Sequence, residues 1–339
     1  MATGNSLSIS GLRVQLWRKQ LFADVRDILF MQKFMGSSEK DVIQELNDAK
    51  KGSGSTINYG LGMKLSGSGT TGDGELEGNE ESMLDYSTSL SIDQLREAVR
   101  LTGKMDEKKN AYDMRMSAKN RLEDWWAERI DHEIIDKLCG KTTSTFANTP
   151  TVAAATRSIF AGGQSTLGAL TTAMKMDTTV LDAAKQMAVL ASPRIRPVRV
   201  EGGKEYFVAI LHPYDMTALR QDPVWNQAQR EANVRGEDNP IFSGAAGIYN
   251  GIVLHEHEYI YQNTDGSGSA LVSRNIFAGQ QAGVIAWGSP VDWVEKTFNY
   301  GNQVGFAVGA IFGCQKPVFN SVDYGMVTMF CGAAAATTA

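Results

Sequence analysis

Leu122, Trp126, Ile130, Ile134 and Leu138 recur at intervals of four residues, and Tyr112 and Met116 extend the row with a small drift. That is the spacing of one apolar stripe on a helix with 3.6 residues per turn. Glu107, Lys108, Asp113, Arg115, Lys119, Glu123, Asp124, Glu128, Arg129 and Asp131 fall on the other faces. Neither proline nor glycine interrupts the run, and Gly103 and Gly140 stand just outside it, where helices tend to stop. The pattern predicts one helix over residues 104–138, roughly 50 Å long at about 1.5 Å per residue. A helix longer than a small domain is wide acts as a beam on which other elements are laid. The stripe alone is equally compatible with an amphipathic helix of an ordinary α/β protein.

Residues 12–35 also read as a helix. Val14, Trp17, Leu21, Val25 and Ile28 line one face, and Phe22, Leu29, Phe30 and Phe34 make much of the opposite side apolar. A helix apolar on both sides wants more than one packing partner, including one from another chain. Ser38 followed by Asp41 resembles a capping box and predicts a short helix through Val42, Ile43 and Leu46. Residues 52–92 are different. Glycines stand at 52, 54, 60, 62, 67, 69, 72, 74 and 78, with strand-like pieces at 56–59, 61–65 and 86–92. The acids Asp73, Glu75, Glu77, Glu80, Glu81 and Asp85 lie between them. This predicts a long two-stranded arm with a glycine-rich tip; the plainer reading is a flexible linker. Leu61, Met63, Leu65, Leu76, Met83 and Leu84 favour the arm, and a lone hairpin is marginal in water, so the arm must lie on something.

Residues 93–101 are read as helix leading into the beam, and 141–176, rich in Thr, Ala, Ser and Gly, as a connector. Asp177 opens a helix that Pro193 stops. Glu205 to Leu211 is apolar on both faces and predicts a central strand. A helix follows Pro213, and 225–239 reads as polar surface. Further strands are expected at 252–261, 276–278, 283–287 and 326–331. In 304–312 bulky residues (Val304, Phe306, Val308, Phe312) alternate mainly with small ones (Gly305, Ala307, Gly309), which predicts a strand with a helix pressed against its glycine side. Gly301, Gly305, Gly309 and Gly313 share the spacing of packed membrane helices, but the apolar run falls short of the roughly 20 residues of a span.

The 339 residues suffice for two or three domains. A net charge of -5 argues against a dedicated nucleic-acid reader. The three cysteines, Cys139, Cys314 and Cys331, are far apart, which suits a reducing cytosol. The first residues lack a basic and apolar leader, so secretion is not expected.

Candidate chemistry is sparse: there is no GxGxxG after a strand, no GxxxxGKS or GxxxxGKT, no GxSxG and no HExxH. His255 and His257 share a strand face in His255-Glu256-His257-Glu258 and begin a possible zinc or nickel site that lacks a third ligand. The competing reading is an edge strand with its polar residues outward. His132 reads as solvated and His212 as a strand-end residue. Arg194, Arg196 and Arg199 form a small basic patch able to touch phosphate, or a solvated strand edge. No cofactor is expected, and Cys139 at a helix C-terminus lacks an activating dipole.

Residues 65–81 (Leu65-Ser66-Gly67 through Gly72-Asp73-Gly74-Glu75-Leu76-Glu77-Gly78-Asn79-Glu80-Glu81) resemble the major capsid proteins of a family found in short-tailed and related bacteriophages. So do Ile92-Asp93-Gln94-Leu95-Arg96-Glu97-Ala98-Val99-Arg100 and Trp125-Trp126-Ala127-Glu128-Arg129-Ile130-Asp131. The match is close over residues 12–140; beyond it, Phe312-Gly313-Cys314-Gln315-Lys316-Pro317 and Asp323-Tyr324-Gly325 are shorter similarities. The resemblance implies an α+β Hong Kong 97-type capsid fold. Its parts would be an N-terminal arm (1–50), an extended loop (51–92), a peripheral domain with a spine helix (93–150), a connector (151–176), an axial domain (177–289), and returning peripheral strands and tail (290–339). Leu65, Gly67, Gly72, Gly74, Leu76, Gly78, Glu80 and Glu81 would then lie on an arm between subunits, and Leu122, Trp126, Ile130, Ile134 and Leu138 in the spine core. The expected function is a non-enzymatic shell subunit forming pentamers and hexamers around double-stranded DNA in a virion. It implies separate scaffolding, portal and cement proteins, non-specific contact with packaged DNA, no membrane, and assembly in the host bacterial cytoplasm. No lysine–asparagine cross-linking pair is identified. The alternatives are a connector or tail subunit, or a cytosolic metal-dependent enzyme using His255 and His257.

Overall fold

The computed structural model describes residues 29–46, 54–63, 65, 67–83, 85–109, 113–199, 203–231 and 246–333. The helix expected over 12–35 lies outside these residues up to 28, as do Tyr112, Leu84 and the tail beyond 333. What is described of that first segment is a 3-10 turn, Phe30–Phe34, running straight into strand β1 (Met35–Gly36). The capping-box helix is also absent. Asp41 accepts from the Ser38 backbone N–H at 2.9 Å and closes a turn, and β2 (Ile43–Leu46) follows as a strand.

The arm is a hairpin of β3 (Thr56–Gly62) and β4 (Asp85–Ser91), registered from Thr56 opposite Ser91 to Gly62 opposite Asp85. Residues 93–100, expected as helix, form strand β5 (Asp93–Arg100). Leu95 and Val99 are spaced for either structure, and pairing with a later strand decides for β, Val99 opposite Phe306.

The beam is also shorter than its pattern suggested. A separate short helix α1 (Lys104–Lys109) precedes α2 (Met114–Cys139), whose 26 residues span roughly 39 Å. Asp113 stops any continuous helix because its carboxylate caps α2, accepting from the N–H groups of Arg115 and Met116 at 2.9 and 3.4 Å. At the other end Gly140 takes φ 68°, and the Lys141 N–H reaches the Asp136 carbonyl at 3.0 Å, a Schellman closure. Leu122, Trp126, Ile130, Ile134 and Leu138 are each at most 3% exposed, whereas Met116 is 48% exposed and off the buried stripe.

The connector contributes β6 (Ser158–Phe160). Helix α3 (Thr178–Leu190) is capped by Asp177, which accepts from the Val180 N–H at 3.0 Å, and it ends ahead of Pro193. Then come β7 (Val198–Arg199), β8 (Glu205–Leu211), α4 (Pro213–Gln221) and α5 (Pro223–Glu231). Trp225, expected on the surface, is 3% exposed with its ring 5.9 Å from that of Tyr249. The remaining strands are β9 (Gly247–Tyr249), β10 (Ile252–Glu256), β11 (Gln262–Asn263), β12 (Val272–Ala278), β13 (Gly283–Phe298), β14 (Gln303–Gln315), β15 (Val318–Phe319), β16 (Val322–Asp323) and β17 (Met326–Gly332). β10 stops at Glu256, short of the expected Tyr261.

Two sheets organise these elements. One has five strands in the order β1-β2-β13-β14-β5, and the other eight, along the path β6-β17-β12-β8-β10-β9 with β7 and β11 attached to β8 and β12. β8 is central, as its two apolar faces require. β17 joins β12 and β6 in the eight-stranded sheet and does not rejoin β14. Helix α2 packs with residues of both sheets in one core that includes Ile210, Ile276, Phe306, Val308 and Phe312. The helix thus lies on the bulky side of β14, opposite to the expectation. The bare side receives other groups: a Cβ on Gly309 would meet the Arg96 side chain at 2.9 Å, and one on Gly313 the Ser91 carbonyl oxygen at 2.1 Å. Gly313 makes room for the root of the arm, and Gly309 for Arg96 of β5. Among the described residues no helix is long and apolar enough to cross a membrane.

Candidate functional site

The arm alternates along both strands. Ile57, Tyr59 and Leu61 on β3 and Tyr86, Thr88 and Leu90 on β4 are at least half-buried, and their neighbours are exposed. That face lies on the chain's own body. Leu90 is fully buried with Val284 and Ala286, and Ile57 and Tyr59 pack against them. The Gln315 side-chain amide donates to the Tyr59 hydroxyl and to the Ser89 carbonyl, both at 2.9 Å. Burial, only partly offset by that bond, pushes the Tyr59 phenol up to about 12. At the root, Asn148 donates from Nδ2 to the Ser91 carbonyl at 2.8 Å and accepts the Ser91 N–H at 3.0 Å. Strands β3 and β4 therefore pair with each other and rest on their own chain, which is the support that a lone hairpin needs.

The outer part of the arm differs. Leu65, Leu76 and Met83 are 57%, 60% and 78% exposed. Few bonds hold this tip: the Gly67 N–H donates to a Glu81 carboxylate oxygen at 2.6 Å, the Gly78 N–H to Glu80 at 2.8 Å, and the Asn79 amide to the Glu75 carbonyl at 2.9 Å. Gly72 and Gly78 adopt φ of 66° and 89°, which side chains disfavour. Gly74 is tight instead, since a Cβ there would meet the Thr70 methyl at 2.6 Å. Leu65, Leu76 and Met83 all lie beyond the paired strands, whose ladder ends at Gly62 opposite Asp85.

The arm root connects to the beam through groups the sequence did not reveal. Lys137 on α2 is 1% exposed. Its ammonium donates to the Ser144 carbonyl and hydroxyl at 2.9 and 3.1 Å and to the Asn148 carbonyl at 2.6 Å, with Glu133 at 3.6 Å. Asn148 in turn clamps Ser91. One buried cation thus fixes the loop that holds the arm.

A second junction binds the first described segment to α2. The Asp131 carboxylate accepts the Phe30 and Met31 N–H groups at 2.8 and 3.0 Å. Burial outweighs those bonds and the nearby Lys33 charge, so the carboxyl is pushed up to about 6. Lys33, brought down to about 8 by burial, lies 3.2 Å from Nδ1 of His255 and over the Phe30 ring. His255 and His257, read as outward-facing or as a metal pair, sit here. His255 is fully buried on an internal strand against Phe34, and His257 lies against Phe30. Burial first, then Lys33 and His132, lowers His257 to about 4. Among the described residues no group of three or more His, Cys, Asp or Glu is placed to hold a metal. His132 faces Asp136 at 3.4 Å, and His212 caps α4 by accepting the Tyr214 N–H. Burial likewise raises Cys139 and Cys314 to about 12, and Cys331 is raised too, so the thiols are inert.

The sign of the Asp131 effect is testable. A carboxyl raised from 3.8 to about 6 stabilises the fold fully below the lower value and loses that contribution as pH rises through the upper. His257, lowered from 6.5 to about 4, works in the opposite direction over the same window. In the comparison of wild type with Asp131→Asn the histidine contribution cancels. The stability difference, wild type minus variant, should shrink between about pH 4 and about pH 7 in thermal melts. A difference that does not change with pH would remove Asp131 from this role.

Comparison with known proteins agrees with this geometry. The chain is 29% identical over 360 aligned positions to the major capsid protein of Pseudomonas phage KPP25, covering 94% of each chain. It superposes on the capsid of Ralstonia phage GP4 with a TM-score of 0.83 at 29% identity, covering 91% of this chain and 92% of that one. The capsid of cyanophage Pam1 gives a TM-score of 0.77 at 26% identity, covering 90% and 92%. The α+β architecture of long helix, extended hairpin and two sheets is of the Hong Kong 97 type. Matched over residues 5–335, the chain belongs to the phage capsid protein family.

Proposed function

We propose that this major capsid protein of a phage head forms pentamers and hexamers of an icosahedral shell around double-stranded DNA, and that the arm tip is its main contact between subunits. The observation that supports this most is the division of the arm: a root fixed to its own sheet and a tip with Leu65, Leu76 and Met83 in water. Each hydrogen bond gained on docking is worth only about 1 kcal/mol net, but every copy repeats it. The tip glycines let one sequence bend differently in the two ring sizes. In this reading α2 with the five-stranded sheet is the peripheral domain and the eight-stranded sheet the axial domain. The role is structural, without catalysis. Scaffolding, portal and cement proteins act from outside the chain, DNA meets local basic patches, and assembly takes place in the host cytoplasm.

Deleting residues 66–80 tests the arm. The hairpin strands and their anchors remain, so the expected product is a soluble, folded subunit that forms no shells under the electron microscope. Shells of normal size and yield would refute the arm's role, and rings from the intact chain would favour a connector or tail subunit.

A further inference from the structure

We propose that the acidic tip of one copy seats in the arginine-lined cleft beside the arm of the next copy. This rests on the assembly reading above and names the seat of the contact. An open cleft of about 1130 Å³ lies between the outer end of the arm and the segment after α3. The arm contributes Leu61, Met63 and Leu65 to its lining. Arg194, Arg196 and Arg199 line it too, together with Lys40. The arginines are held there by what lies between them. Ile195 and Val198 are buried at 1% and 6%, and the Ile195 N–H and Arg196 carbonyl are bonded to Ala188 and Gln280. The three guanidinium-bearing residues are exposed. Arg199 pairs with Glu205 at 2.9 Å, while Arg194 and Arg196 form no ion pair among the described residues. Glu39 and Glu205 also line the cleft, so four basic groups face two acidic ones.

The tip is the counterpart. Asp73, Glu75, Glu77, Glu80 and Glu81 fall in a stretch, 65–95, that contains no lysine or arginine. None of these five acids lines the cleft of its own chain. In Glu75-Leu76-Glu77 the exposed leucine stands between two carboxylates and opens a turn closed by the Asn79 N–H on its carbonyl at 3.0 Å. The cleft offers the complementary set, apolar side chains together with cationic ones. Bare phosphate would use only the cationic ones and would meet Glu39 and Glu205, so a second copy of this chain fits better than nucleic acid. The acidic segment 73–81 and the cleft share no residue, so the contact is head-to-tail and closes into rings when the rotation between copies allows it.

Charge exchange on the full-length protein tests the pairing. Arg194→Glu with Arg196→Glu, and separately Glu75→Lys with Glu77→Lys, should each leave a subunit with unchanged melting behaviour. Each should lower the yield of shells by about tenfold or more, since like charges then face each other. Combining all four substitutions should restore most of the yield. Wild-type shell yield from the arginine variant, or no recovery in the four-fold variant, overturns the proposal. Normal shells that retain less DNA would also overturn it, assigning the cleft to nucleic acid. Absence of shells from the unmodified protein expressed together with its scaffolding protein would instead count against the assembly reading itself.

Discussion

Replacing Trp126 with alanine is expected to destabilise the folded subunit by roughly 3–5 kcal/mol, the cost of a large aromatic truncation in a core that cannot collapse around the gap. Trp126 is 0% exposed, and its ring meets Phe312 of β14 edge-on at 6.4 Å and Trp125 at 5.3 Å. Among the described residues its indole N–H has no hydrogen-bond partner. The loss is therefore one of packing, not of a polar contact. The substitution opens a cavity where the beam meets the five-stranded sheet. A chemical denaturation midpoint equal to that of wild type would place the tryptophan outside the load path between helix and sheet.

Lys137→Met is expected to cost about as much, roughly 3–5 kcal/mol, for a different reason. Methionine fills nearly the same space, so little cavity forms. What is lost is the ammonium's own bonds: the buried Ser144 and Asn148 carbonyls are left without that donor, while Glu133, 2% exposed, keeps its ion pair with Arg129 and the Ser144 hydroxyl at 3.1 Å. Each buried acceptor left without a donor costs about 1–3 kcal/mol. Because Asn148 also holds Ser91, amide exchange at Ser91 should accelerate in the variant. A denaturation midpoint equal to that of wild type would mean that the Lys137 bonds do not hold this loop.

The helix was legible because its buried face is built from local spacing, and every residue of the four-residue row from Leu122 to Leu138 is buried. Its start was not, since no glycine or proline marks the break. The signal was Asp113, a good capping residue inside a charged run. The arm's strands were legible from alternation. Strand β5 was misread because the spacing of Leu95 and Val99 suits a helix as well as a strand, and the deciding partner, β14, lies some two hundred residues later. The alternation of β14 was read correctly but its sides were exchanged. The bulky face takes the helix, and Gly313 instead admits the Ser91–Ile92 backbone. Lys137, Asp131 and His255 were misjudged or missed for one shared reason. Each looks solvated among its sequence neighbours, and each is buried by groups that only tertiary folding brings near: Asn148 for the lysine, Phe30 and Met31 for the aspartate, and Phe34 for the histidine.

The polar core of the eight-stranded sheet was also unreadable from sequence. Asp215 at the start of α4 accepts from Ser273 and from Asn275 on β12, and Asn275 accepts the His212 N–H at 2.9 Å. Burial pushes the Asp215 carboxyl up to about 6 despite those bonds. These groups are fully enclosed and tie α4 to the sheet, a structural role.

An electron cryomicroscopy reconstruction of particles formed by the unmodified protein, resolved well enough to trace residues 65–83, bears most directly on whether shell formation rests on the arm tip. Leu65, Leu76 and Met83 should be covered by an adjacent subunit, with the hairpin root still held by Asn148 and Gln315 of its own chain. A closed shell in which those three side chains remain in solvent, or fold onto their own subunit, would contradict the account.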